Sequence, residues 1–88
     1  MLELVYYTRK NCQLCDDGRE QIKLALSELR YNKVKLTSFD IDEDDRLQQE
    51  YMVRVPVLKH KGEVVQEGLI DFVRVYDYLK EYLGKSKI

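Results

Sequence analysis

The sequence predicts an α/β domain of order βαβαββα, with a mixed four-stranded sheet flanked by helices. Three observations carry that reading. Strand-like segments at 2–7 and 34–41 bracket a long stretch of helical periodicity, the pattern of a βαβ crossover. The apolar segments Val55-Pro56-Val57-Leu58 and Val64-Val65 stand on either side of a Lys61-Gly62-Glu63 turn and read as a hairpin. Apolar residues at spacings of three and four return near the end of the chain. At 88 residues, the chain 1–88 is expected to be a single domain, because domains run from about 50 to 250 residues.

Each element follows from its residues. The segment 2–7 is rich in Leu, Val and Tyr and gives way to Thr8-Arg9-Lys10-Asn11, which delivers the strand's C-terminal end to Cys12. Leu14, Gly18, Ile22, Ala25, Leu26 and Leu29 predict a helix over 13–31, with Asp16, Asp17 and Glu20 in the early turns where acid suits the dipole. In the strand 34–41, Val34, Leu36 and Ser38 alternate with Lys35, Thr37 and Phe39. Asp44 is placed to cap a short helix carrying Leu47 and Tyr51. The last helix is expected to bury Leu69, Phe72, Val73, Tyr76, Leu79 and Leu83. It should stop at Gly84, with Lys80, Lys85 and Lys87 near its negative end.

With 44% hydrophobic and 35% charged residues the composition is that of a folded chain. Fifteen basic against sixteen acidic residues leave a net charge of −1, without the basic field that non-specific nucleic-acid binding requires. The longest apolar run, Leu4 to Tyr7, has four residues, far below the roughly 20 that span a bilayer or the 7 to 15 of a signal-peptide core. The expectation is a cytoplasmic monomer with no nucleic-acid or membrane partner. The acidic run from Asp40 to Asp45 lacks the Gly and terminal Glu of a calcium loop and reads as a turn and helix start.

The two cysteines, Cys12 and Cys15, carry the chemistry. A spacing of three puts both sulfurs on one side of a first helical turn, close enough to bridge. At that position Cys12 meets unpaired N–H groups and the positive dipole end, with Arg9 and Lys10 adding positive charge, so it is expected to be the nucleophilic thiolate. Asp16 and Asp17 act against ionisation of Cys15, leaving it as the resolving thiol. The other readings of the pair are a metal half-site or a non-catalytic module that uses it to bind metal or a protein. Tetrahedral zinc needs four ligands, and beyond the pair the chain offers only His60, on the hairpin, so no intramolecular metal site is expected. Small copper chaperones also present CxxC, but in βαββαβ order.

Leu4-Val5-Tyr6-Tyr7, the segment Thr8-Arg9-Lys10-Asn11-Cys12-Gln13-Leu14-Cys15 and the later Arg54-Val55-Pro56-Val57-Leu58 together resemble the glutaredoxin-like members of the thioredoxin superfamily. The likeness covers nearly the whole chain and is closest to small bacterial proteins with Cys-x-Leu-Cys followed by acidic residues. It implies a thioredoxin-like fold of glutaredoxin type and a cis bond before Pro56, a residue that otherwise sits poorly in a strand. It implies that Pro56 lies against the disulfide and that Val55 offers its backbone to an extended substrate. Glutaredoxins hold glutathione on a Gly-Gly pair followed by acid; Gly68 and Asp71 match half of that pattern. Glu67 takes the place of the first glycine and Leu69-Ile70 replace polar residues, and a carboxylate there repels the carboxylate of glutathione. Gln13-Leu14 replace the Pro-Tyr or Gly-Pro of better-known relatives, so the redox poise is not set by resemblance.

The expected activity is thiol–disulfide exchange on a disulfide-containing protein or small molecule, reset by glutathione or a thioredoxin-reductase-type enzyme. No bound cofactor is expected, with glutathione a candidate co-substrate only. Arg9, Lys10, Asn11, Gln13, Leu14, Val55, Pro56, Gly68 and Asp71 are the expected substrate-binding residues around the pair. Tyr7 and Arg46 are candidates to border the groove, while Tyr76 and the other tyrosines read as packing.

Overall fold

The computed structural model describes residues 2–85. The chain runs β1 (Leu2–Thr8), α1 (Gln13–Leu29), β2 (Val34–Asp40), a 3-10 turn (Ile41–Glu43), α2 (Asp45–Tyr51), β3 (Val57–His60), β4 (Glu63–Glu67) and α3 (Phe72–Lys85). The expected order βαβαββα is present, with the 3-10 turn added where β2 was expected to continue to Ile41. Asp40 ends the strand by accepting the Asp42 N–H at 2.9 Å, and Ile41 turns into the core instead.

The sheet order is β2-β1-β3-β4, parallel between β1 and β2 and antiparallel elsewhere. Strand alternation sorts side chains to two faces. Leu2, Leu4 and Tyr6 of β1 and Leu58 of β3 join Ile22 and Ala25 of α1, Ile70, and Val75 and Leu79 of α3 in one large cluster. Val57 of β3 packs on the other face with Ile41 and Tyr51, flanked by Tyr7, Leu47 and Val55. Asp44 caps α2 as expected, its carboxylate accepting the N–H groups of Arg46 at 2.8 Å and Leu47 at 3.2 Å. Lys61 and Gly62 both take positive φ, the requirement of a tight type I′ hairpin.

Several expectations needed correction. α1 ends at Leu29 instead of residue 31, because Arg30 adopts φ 55° and turns its N–H back to Ser27. Its buried stripe is Cys15, Gly18, Ile22 and Ala25, so Leu14 is left 48% exposed. On α3 the buried pair is Val75 and Leu79; Val73 faces outward and Leu69 precedes the helix, also exposed. α3 runs one residue past Gly84, to Lys85, the last described residue. Lys87 lies outside the described residues. Val55 and Pro56 precede β3 instead of beginning it, since proline has no N–H for the ladder. Among the described residues no helix is long and apolar enough to cross a membrane.

Candidate active site

β1 is the central support of the site. It ends at buried Thr8, and the chain then turns through Asn11, whose φ of 55° is a left-handed conformation that asparagine tolerates. Cys12 follows as the N-cap of α1 in extended backbone. Its Sγ accepts the Cys15 N–H at 3.1 Å, satisfying one donor that a helix start otherwise leaves open, and its carbonyl accepts the Asp16 N–H at 3.1 Å in the first regular bond of the helix. The two cysteines form a disulfide, with Cα atoms 5.2 Å apart. Cys12 is half-buried, whereas Cys15 is 1% exposed, so an incoming group meets the first sulfur before the second.

A second loop shares that end of the sheet. Tyr7 pairs with Val57, so Pro56 stands one step beyond, beside the point where β1 leads into the cysteine turn. The Val55–Pro56 bond is cis and the Pro56 side chain is fully buried. Val55 gives its N–H to the Tyr51 carbonyl at 3.0 Å, and its own carbonyl takes no hydrogen bond among the described residues. The Gly68 N–H reaches back to the carbonyls of Pro56 at 2.8 Å and Arg54 at 3.1 Å. Gly68 holds φ 80°, the conformation that favours glycine.

Arg54 fastens this loop. Its guanidinium forks onto Glu67 at 2.7 and 3.2 Å, donates to Glu50 at 3.1 Å, and lies 5.0 Å from the Tyr51 ring centroid. The hydrogen bond from Arg54 holds the Glu67 carboxyl below its ordinary value. The Glu67 charge expected to repel a carboxylate thus shares one cation with Glu50, and the three groups together keep a net negative charge.

The remaining expected substrate-binding residues are distributed around these two loops. Lys10 and Asn11 are exposed on the approach to Cys12, and Leu14 presents an apolar surface next to it. Arg9 is bound to Asp42 at 3.2 Å, and Gln13 donates to Asp17 at 2.9 Å. Asp71 caps α3, accepting the Arg74 N–H at 3.3 Å, while its own N–H donates to Gln66. Tyr7 is stacked between Phe39 and Tyr51 as packing, and Arg46 is exposed on α2. His60 is 3% exposed, paired through Nδ1 with the Tyr78 hydroxyl at 2.8 Å, and edged against Tyr82. Burial lowers its pKa.

Two contacts were missed from sequence. The Tyr6 hydroxyl donates to the Cys15 carbonyl at 2.8 Å, inside the core. A tyrosine at an inward strand position needs a partner for its hydroxyl, and Gly18 on the facing stripe was the available hint. The Arg54–Glu67 fork joins residues across a hairpin and had no local signal.

The model of the glutaredoxin-like domain family (DUF836) matches residues 3–82. The chain belongs to that family. An X-ray structure of Northeast Structural Genomics target protein XcR50 from X. campestris is similar to this glutaredoxin-like chain at 33% identity and TM-score 0.67. That likeness covers 89% of this chain and 96% of that one. A mutant thioredoxin from Halobacterium salinarum NRC-1 is similar at 27% identity and TM-score 0.60, over 92% of this chain and 74% of that one. Chloroplastic thioredoxin z, at 16% identity and TM-score 0.69 over 96% and 80% of the two chains, shares the fold. None of the curated proteins matches the chain. The glutaredoxin-like chain thus has the thioredoxin-like fold, and a CxxC pair at disulfide distance on that fold supports a redox-type function.

Proposed function

We propose that the protein is a thiol–disulfide oxidoreductase in which Cys12 is the nucleophile and Cys15 the resolving thiol. The observation that carries the reading is the capping geometry: Cys12 Sγ sits at the start of α1 and already accepts a backbone N–H from Cys15. The helix start and that donor favour thiolate over thiol. The thiolate attacks one sulfur of a substrate disulfide, forming a Cys12–substrate bond while the other substrate sulfur leaves as thiolate. Cys15, as thiolate, then attacks Cys12 Sγ and expels the second substrate sulfur. Two electrons pass to the substrate and the pair is left oxidised.

The substrate is a disulfide-containing protein or small molecule, entering beside the cis-proline loop and the Val55 backbone. Lys10, Asn11, Leu14, Val55, Pro56 and Gly68 border that approach; Arg9, Gln13 and Asp71 support it from neighbouring contacts. Glutathione or a thioredoxin-reductase-type enzyme restores the dithiol, in the reducing cytoplasm and on a monomer without a bound cofactor. Trapping with single variants tests the assignment. Cys15→Ser should accumulate a mixed disulfide with substrate, and Cys12→Ser should accumulate none. Equal trapping by the two variants contradicts the roles, and no trapping by either points to a non-catalytic module that binds metal or a partner through the pair.

A further inference from the structure

We infer that Tyr6 is a positioning residue for the cysteine pair, anchoring the Cys15 backbone to the central strand so that the resolving sulfur stays within reach of Cys12; this rests on the redox reading above. Tyr6 is fully buried on β1, a strand paired on both edges, and its hydroxyl donates to the Cys15 carbonyl at 2.8 Å. The N–H of the same cysteine donates to Cys12 Sγ at 3.1 Å. Cys15 is therefore tied to the nucleophile through one backbone group and to the sheet through the other. The Asp16 N–H, which shares a peptide with the Cys15 carbonyl, donates to the Cys12 carbonyl at 3.1 Å. A donor at one end of a peptide strengthens donation from the other, so the hydroxyl reinforces the whole first turn.

Gly18 makes the contact possible. A Cβ there would stand 2.9 Å from Ile70 Cγ1 and collide with the Tyr6 hydroxyl. Arg19 covers the ring, its guanidinium carbon 5.9 Å from the centroid. Burial pushes the phenol up to about 12, so it remains a neutral donor and takes no part in proton transfer. In the resolving step the Cys15 proton goes to solvent, the Cys12–Cys15 bond forms, the Cys12–substrate bond breaks, and the departing thiolate takes up a proton. Tyr6 acts on the geometry of that step alone.

The experiment uses Tyr6→Phe in the full chain, equilibrated with reduced and oxidised glutathione beside wild type. The ratio of dithiol to disulfide is read by mass, and both redox forms are unfolded in urea. The effective concentration of one thiol toward the other should fall about fivefold, a rise of about 20 mV in potential, with the oxidised form losing more stability than the reduced. An unchanged ratio with both forms equally destabilised overturns the inference and leaves the hydroxyl as packing. If Tyr6→Phe does not fold, 3-fluorotyrosine at position 6 supplies a stronger donor of nearly the same size. It should shift the ratio about twofold the other way, and no shift overturns the inference. Wild type that forms no reversible disulfide defeats the redox reading itself; wild type and variant that cycle identically defeat only the role of Tyr6.

Discussion

The two faces of the sheet are built to different depths. On one, α1 and α3 bury Leu4, Tyr6, Ile22, Ala25, Leu58, Val75 and Leu79 in a continuous core, and the inner cysteine is held on that side by Tyr6. On the other, the seven-residue α2 packs its Tyr51 with buried Ile41 and Val57 in a smaller cluster, and this face carries the cis-proline loop. The cysteine pair is thus mounted on the deeply packed side and the cis-proline loop on the thin side.

Stability should follow that division. Ile22→Ala opens a cavity among fully buried neighbours and should cost about 2–4 kcal/mol, whereas Leu47→Ala, at a half-buried position on α2, should cost about 1 kcal/mol. Urea unfolding of the two variants measures the contrast. Equal losses would mean that the thin face contributes as much as the deep one.

A smaller effect separates the faces by pH. His60, the sole histidine, lies on the deep face, and burial, with Lys61 adding to it, lowers its pKa from 6.5. In the window between the lowered folded value and 6.5, the unfolded chain binds more protons, so stability rises with pH across it. The contribution is complete above 6.5 and is lost as the pH falls through the folded value. Urea midpoints at pH 7.5, 6.5 and 5.5 should decline, and His60→Gln should flatten that part of the profile. A wild-type profile no steeper than that of His60→Gln contradicts the placement.

Legibility in the sequence also divided by depth. The βαβ crossover, the hairpin and the Asp44 cap are local patterns, and each was read from residues a few positions apart. The Cys12-x-x-Cys15 turn was legible for the same reason, because strand, turn and helix are contiguous. Faces of helices were less secure: Leu14 and Val73 fit an apolar spacing but lie off the buried stripe, since half-exposed apolar residues are common and periodicity alone does not choose between adjacent stripes. Tertiary pairings were not legible. Tyr6 meets Cys15 because Gly18 lets the helix approach, and Arg54 meets Glu67 because a hairpin returns the chain.

The smallest expected effect is on the thin face, at Arg54. Its fork to Glu67 and contact with Glu50 lie at the surface, where salt and water weaken an ion pair, so Arg54→Ala should change global stability little. The local consequence is sharper. Without the guanidinium hydrogen bond, the Glu67 carboxyl should climb back toward 4.5, as read by NMR titration of that side chain. Glu67 is held low in the folded chain, so the pair's contribution is present above the ordinary carboxylate value and is lost as pH falls through the lowered one. Arg54→Lys keeps the charge but not the planar fork and should recover only part of the shift. The Gly68 amide should also exchange faster in Arg54→Ala, because its acceptors belong to Arg54 and Pro56 and lose the side-chain clamp that fixes them. An unmoved Glu67 titration with unchanged Gly68 exchange would show that the backbone alone holds the cis-proline loop, and that the thin face is as rigid there as the deep one.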